Sequence, residues 1–224
     1  MHSKIEANVN LGPKEKELAQ KIYLGLTDYF CELKTIGKLK KKIAKSSKRG
    51  GYFLELLDES MKRAEVFNTI MNLADKKVTA QDKLDKVNAL LDPGKKNILV
   101  NVWFELALMN YIFECEYFRV IMFQVIKQDS LIADGKTTLA PFVEYLTKLN
   151  KKIVPVVDLI DLELRNSVAH GLVWYHNEVT ISADANFSKV KKISLYELWK
   201  RAKSVNIINQ VLLIVISEQF LVTK

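Results

Sequence analysis

"LVNVWFELALMNYIFECEYFRVIMFQVI", residues 99–126, is the longest apolar stretch of the chain, and its reading decides the fold class. Glu105, Asn110, Glu114, Glu116 and Arg119 interrupt it, so it fails as a membrane span and reads as a buried helix over about 97–128. Its aromatics, Trp103, Phe104, Tyr111, Phe113, Tyr117, Phe118 and Phe123, mark the centre of a core; rings at this density serve packing far more often than base stacking. A second apolar segment, 205–222, is broken by Asn209, Gln210, Ser217 and Glu218 and is read the same way.

Helical patterns extend to both sides. Leu18, Ile22, Leu26, Tyr29, Leu33, Ile36, Leu39 and Ile43 recur at steps of three and four, which predicts a helix over 13–46 opened by Pro13 and ended by "SSKRGG" at 46–51. Two further helices are expected over 52–76 and 81–91, the latter capped by Thr79, before a turn at "DPGKK", 92–96. After a loop at 128–138, Thr138 is expected to cap a short helix reaching Asn150, and a helix follows over 155–170. "LVWYHNEVTIS", 172–182, alternates about a turn at His176-Asn177-Glu178 and predicts a short β-hairpin. Ser194 with Glu197 forms a capping box for a last helix over 195–222. At 224 residues, 49% hydrophobic and 27% charged, the chain is expected to form one domain, 1–224: an all-α bundle of long helices carrying one hairpin.

The net charge of +8 is unevenly placed. No acid lies between Glu32 and Glu55, whereas Lys34, Lys38, Lys40, Lys41, Lys42, Lys45, Lys48 and Arg49 supply eight cations, a candidate contact for a polyanion. On the predicted helix Lys34, Lys38, Lys41 and Lys45 would share a stripe. Cys31 and Cys115 each sit within an apolar helical pattern and are expected to be buried, reduced thiols; no signal peptide is read, so a cytoplasmic location is expected. His2, His170 and His176 show no paired spacing and there is no Cys-x-x-Cys, so neither a metal nor a cofactor is expected.

The chemistry-bearing stretch is "LELRNSVAHGLVW", residues 162–174. On a continuous helix Val157, Ile160, Leu164 and Val168 fall within about 80°, the face to be buried, while Arg165, Asn166 and His170 occupy the opposite side. Leu162 and Ala169 share that outer side, which suits contact with another helix, including the same helix of a second copy. Without further signs the trio is equally an ordinary surface arrangement: an Arg in an ion pair and a His near a helix C-terminus.

"RNSVAHG" resembles the signature of the HEPN superfamily, an Arg, then a polar residue, then a His after four to six intervening positions. Arg165, Asn166 and His170 match these positions, and the predicted helical bundle agrees with that family's fold. The resemblance implies a metal-independent endoribonuclease, of a kind found in toxin–antitoxin and antiphage settings, whose substrate is RNA and whose active unit is a homodimer formed through the motif face. In toxins paired with a nucleotidyltransferase, a Tyr two residues after the motif His is modified; Leu172 stands there, with Tyr175 out of register. An antitoxin or other regulatory partner is therefore not specified.

The residue types suit such chemistry. An imidazole moves protons near neutral pH, so His170 serves as general base or acid. The guanidinium of Arg165 is a fork for two phosphate oxygens, and Asn166 orients the imidazole or the phosphate. Products would be a 2′,3′-cyclic phosphate and a 5′-hydroxyl, with Lys34, Lys38, Lys41, Lys42, Lys45, Lys48 and Arg49 binding the RNA backbone. Two other readings stay open: a non-catalytic HEPN-like module binding RNA or a protein, and an unrelated helical binder of nucleic acid or anionic surfaces.

Overall fold

The computed structural model describes residues 11–39, 72, 75, 76, 79, 82, 83, 96–127, 138–183, 186 and 188–220. The described chain is mainly helical with one small sheet. Six α-helices, α1 Pro13–Thr35, α2 Lys96–Val125, α3 Leu139–Leu149, α4 Val154–Val157, α5 Leu162–Ala169 and α6 Leu195–Phe220, accompany strands β1 Val173–His176, β2 Glu178–Ser182 and β3 Val190–Ile193. Among the described residues no helix is long and apolar enough to cross a membrane.

The chain divides into two compact units. The first comprises the described residues of Met1–Thr69, Phe118–Asp158 and Ile207–Lys224, the second those of Ile70–Tyr117 and Leu159–Asn206, so α2 and α6 contribute to both.

In the first unit, α1 buries Ala19, Ile22, Tyr23, Leu26, Tyr29, Phe30 and Leu33, the spacing expected of one helical face. Its N-terminus is closed by Glu15, whose carboxylate accepts the Gly12 N–H at 2.9 Å, with Pro13 in the first turn. The Tyr29 hydroxyl donates to the Leu146 carbonyl of α3 at 2.9 Å, which lets a phenol be buried without an orphaned polar atom.

The helix predicted over 13–46 ends early, at Thr35. Gly37 (φ +70°) takes the left-handed position after the cap; its N–H donates to Lys34 O at 3.1 Å and that of Lys38 to Leu33 O at 2.8 Å. Ile36 is thereby left exposed and Leu39 leaves the helical stripe to pair with Ile126, past the end of α2. A Gly flanked by Ile and Lys gives little warning when the apolar period runs on through it. The expected helix over 52–76 lies largely outside the described residues, as does that over 81–91; Thr79 is itself helical rather than a cap.

The helix predicted over 155–170 is two helices, α4 in the first unit and α5 in the second. α4 stops at Val157, and Asp161 opens α5 by accepting the Leu164 N–H on its carboxylate at 2.9 Å. α5 ends as α1 does. Gly171 (φ +69°) donates to Val168 O at 3.1 Å and Leu172 to Ser167 O at 2.8 Å, turning the chain into β1. The hairpin of β1 and β2 forms about Asn177 (φ +62°), with Val173 opposite Ile181 and His176, the last strand residue, opposite Glu178. A third strand, absent from the expectation, pairs antiparallel with β2, Val179 opposite Ile193. In β3 only Ile193 is buried, so apolar alternation had nothing to register. At the other helix start, Ser194 Oγ accepts the Glu197 N–H at 3.1 Å as expected, whereas Thr138 occupies the cap position of α3 without a side-chain bond.

The left-handed turn that follows the motif has a measurable cost. Nothing lies within 4 Å of a Cβ added at Gly171, so Gly171→Ala is expected to lose only backbone conformational energy, about 1–2 kcal/mol. Gly171→Asn is expected to lose less, since Asn tolerates this region. Thermal unfolding of the two variants checks it, and equal losses would contradict the conformational account.

Candidate functional site

The site is built on α5. Leu164 anchors it, fully buried, a contribution of about 1.5–3 kcal/mol; Ser167 is buried beside it and Val168 half-buried. The Ser167 hydroxyl lies 2.8 Å from Glu163 O and 2.7 Å from Ser182 O, sharing its hydrogen between the helix and β2. Burial of this side turns Glu163, Asn166, Ala169 and His170 to solvent.

Asn166 and His170, four residues apart, stand within about 40° of each other around the helix axis. His170 is the C-cap (φ −98°, ψ 5°), and its imidazole is exposed at the helix end. Arg165 departs from the expected arrangement. Rather than facing outward with the others, it lies on the flank of α5, its side chain 17% exposed, and its Nη2 donates to Glu116 Oε1 of α2 at 2.5 Å. Its Nη1 donates to Asn166 Oδ1 at 3.2 Å. The guanidinium is therefore fixed in direction by two acceptors, and Asn166 links it to the exposed side that carries His170. Val157, Ile160 and Leu164 are buried as expected and Val168 is half-buried, but not as the stripe of one helix, since Val157 belongs to α4 and Ile160 to the intervening turn.

A second group of residues holds the other end of α5. The Asp161 carboxylate caps the helix through Oδ1, forms an ion pair with Arg201 of α6 through Oδ2, and lies 3.9 Å from Lys191 Nζ of β3. The Asp161 carbonyl accepts both the Arg165 N–H at 3.0 Å and the Tyr111 hydroxyl at 2.8 Å. Burial, then the neighbouring Cys115 thiol, push the Tyr111 phenol far above its ordinary range, so it remains a donor. Glu114, also on α2, is fully buried and accepts from Asn206 Nδ2 at 2.6 Å.

Glu116, Asp161, Arg201 and Tyr111 were not nominated from the sequence. Two signals were present. An Asp followed by Glu at the second position of an apolar-periodic run is a helix start, and carboxylates within an apolar helix require partners. Read only as interruptions of a membrane span, Glu114 and Glu116 already implied a donor facing α2.

Of the proposed RNA-contacting residues, Lys34 is exposed in the last turn of α1, while Lys38 is half-buried beyond its end, its carbonyl accepting the Lys127 N–H at 2.8 Å. The two do not share a helical stripe. Lys41, Lys42, Lys45, Lys48 and Arg49, with Lys40, lie outside the described residues. His176 ends β1 and is exposed. Cys115 is buried as expected, and burial pushes its thiol well up, away from nucleophilic use; Cys31, expected to be buried, is exposed on α1. Among the described residues no group of three His, Cys, Asp or Glu could hold a metal ion.

Comparison with protein-family models, with curated proteins and with solved structures gives no match.

Proposed function

We propose that this chain is a metal-independent endoribonuclease of HEPN type, acting as a homodimer through the exposed side of α5. The observation that carries the reading is the oriented trio: Arg165 pinned by Glu116, Asn166 bonded to Arg165, and the exposed imidazole of His170 one turn beyond Asn166. In the proposed reaction the ribose 2′-oxygen attacks the adjacent phosphorus. One imidazole takes the 2′-hydroxyl proton, the imidazolium of the second copy protonates the departing 5′-oxygen, and Arg165 with Asn166 stabilises charge on the non-bridging oxygens. The products are a 2′,3′-cyclic phosphate and a 5′-hydroxyl. Exposed Ala169, small and next to His170, supports close approach of a second α5. A toxin or antiphage role, cytoplasmic location and restraint by an antitoxin or regulator belong to the same proposal.

One observation favours a second reading, a non-catalytic module that binds RNA or a protein. Arg165 is already neutralised by Glu116, and its Nε is buried without a hydrogen-bond partner among the described residues, as in an arginine retained for structure. Incubation of the purified protein with mixed-sequence RNA in EDTA, followed by end-group analysis, separates the two. Cleavage leaving cyclic phosphates supports the nuclease. Intact RNA, or 3′-hydroxyl ends, defeats it.

A further inference from the structure

The first turns of α6 bury Leu198, Ala202 and Val205 and turn a different stripe outward. Tyr196, 63% exposed, stacks against Trp199 with ring centroids 5.8 Å apart and planes 22° from parallel. Each ring carries an ammonium from the next turn: Lys200 Nζ stands 5.4 Å from the Tyr196 centroid and Lys203 Nζ 4.6 Å from that of Trp199. The two rings and then the two cations span about 10 Å of helix, room for two or three bases at ~3.4 Å each.

β3 carries Lys191 and Lys192, both exposed. Lys191 and Arg201 approach the same oxygen of Asp161, which fixes this strand and this part of α6 at the N-terminal end of α5. On this part of α6 Lys200 and Lys203 outnumber Glu197, an excess of one positive charge. The carboxylate contacts, 3.3 Å for Lys192 and 3.8 Å for Lys200, involve groups 42–64% exposed and are weak enough for a phosphate to replace.

From this geometry we infer that Tyr196 and Trp199, with Lys200 and Lys203 over their rings, form a docking platform for single-stranded RNA. Stacking on the rings is indifferent to base identity, and the ammonium groups meet the phosphates between stacked bases. An apolar protein partner would call for a continuous apolar surround, whereas each ring here is bordered by charge. The inference rests on the proposed RNA substrate, but binding is measured apart from cleavage.

The probe is a fluorescein-labelled 2′-O-methyl 12-mer of mixed sequence, which lacks the attacking hydroxyl and is not cleaved. Anisotropy is expected to show Kd rising about tenfold in Tyr196→Ala, with Tyr196→Phe near wild type. In the Lys200→Gln/Lys203→Gln variant the slope of log Kd against log salt is expected to shallow by about 1.4. Tyr196 is exposed, so its truncation leaves the fold intact; circular dichroism verifies this. Unchanged affinity in Tyr196→Ala with an unchanged salt slope in the double-lysine variant overturns the platform, as does a wild type that does not bind the probe. A shift in oligomeric state without a shift in Kd also overturns it, in favour of a protein interface. Platform-dependent binding by a protein that leaves ordinary RNA intact in EDTA upholds the platform and defeats the nuclease alone.

Discussion

His170→Ala is expected to lower RNA cleavage in EDTA by about 10²–10⁴-fold while leaving thermal stability nearly unchanged. The two halves of that expectation come from one fact, the exposure of His170 at the end of α5. No hydrogen bond among those described ties its imidazole to the rest of the molecule, and the helix end is closed by backbone bonds of Gly171 and Leu172. Arg165→Ala is expected to behave differently. Cleavage should fall by about 10²–10³-fold, the effect of losing one donor to a charged intermediate. Stability should fall with it, because Glu116, 18% exposed, would be left without its guanidinium. Arg165→Lys keeps the positive charge but not the fork, so it should recover more stability than activity. Rates and melting temperatures measured on the three variants check this. A His170→Ala protein that cleaves at the wild-type rate removes the imidazole from the mechanism, and with it the nuclease proposal.

The parts of the fold that were legible in the sequence are those where burial repeats. α2 and the buried face of α1 follow from apolar spacing, and the hairpin from alternation about Asn177. Illegible were the interruptions. The period of α1 continues through Gly37 without a polar break, and that of the motif helix runs from Val157 to Val168 across a turn that only the Asp161 cap betrays. Periodicity reports which side of a helix would be buried, not whether the helix is continuous. The site shows the same limit. Spacing put Asn166 and His170 on one exposed side, but Arg165 is long enough to reach back to α2, and its direction depends on where Glu116 stands, which no local pattern carries. The ring pair of α6 was invisible for a related reason. Tyr196 and Trp199 three residues apart look like core until the burial of Leu198 and Ala202 turns them outward.

Asp161→Ala is expected to give the largest loss of stability among substitutions around the site, because one carboxylate performs two tasks. Loss of the cap on Leu164 costs about 1 kcal/mol. Loss of the ion pair leaves Arg201, 18% exposed, with only the longer contact of its Nε to Glu197 at 3.8 Å, for a further ~1–3 kcal/mol. A total of about 2–4 kcal/mol in a chain of this size corresponds to a fall of roughly 5–15 °C in Tm. Asp161→Asn separates the tasks. Its amide oxygen still accepts the Leu164 N–H, since Asn and Asp cap about equally well, but the charge opposite Arg201 is gone. Asn should therefore recover about 1 kcal/mol relative to Ala, and Arg201→Met, which removes the cation rather than leaving it with Glu197 alone, should be milder than either. Cleavage should fall in Asp161→Ala although no atom of Asp161 belongs to the motif, because α5 would lose the side-chain anchor of its first turn while keeping Arg165 bonded to Glu116. Melting curves for the three variants decide the point: identical Tm values for Asp161→Ala and Asp161→Asn would show that the cap contributes nothing, and an unchanged Tm in both would mean that Asp161 does not hold α5 in place.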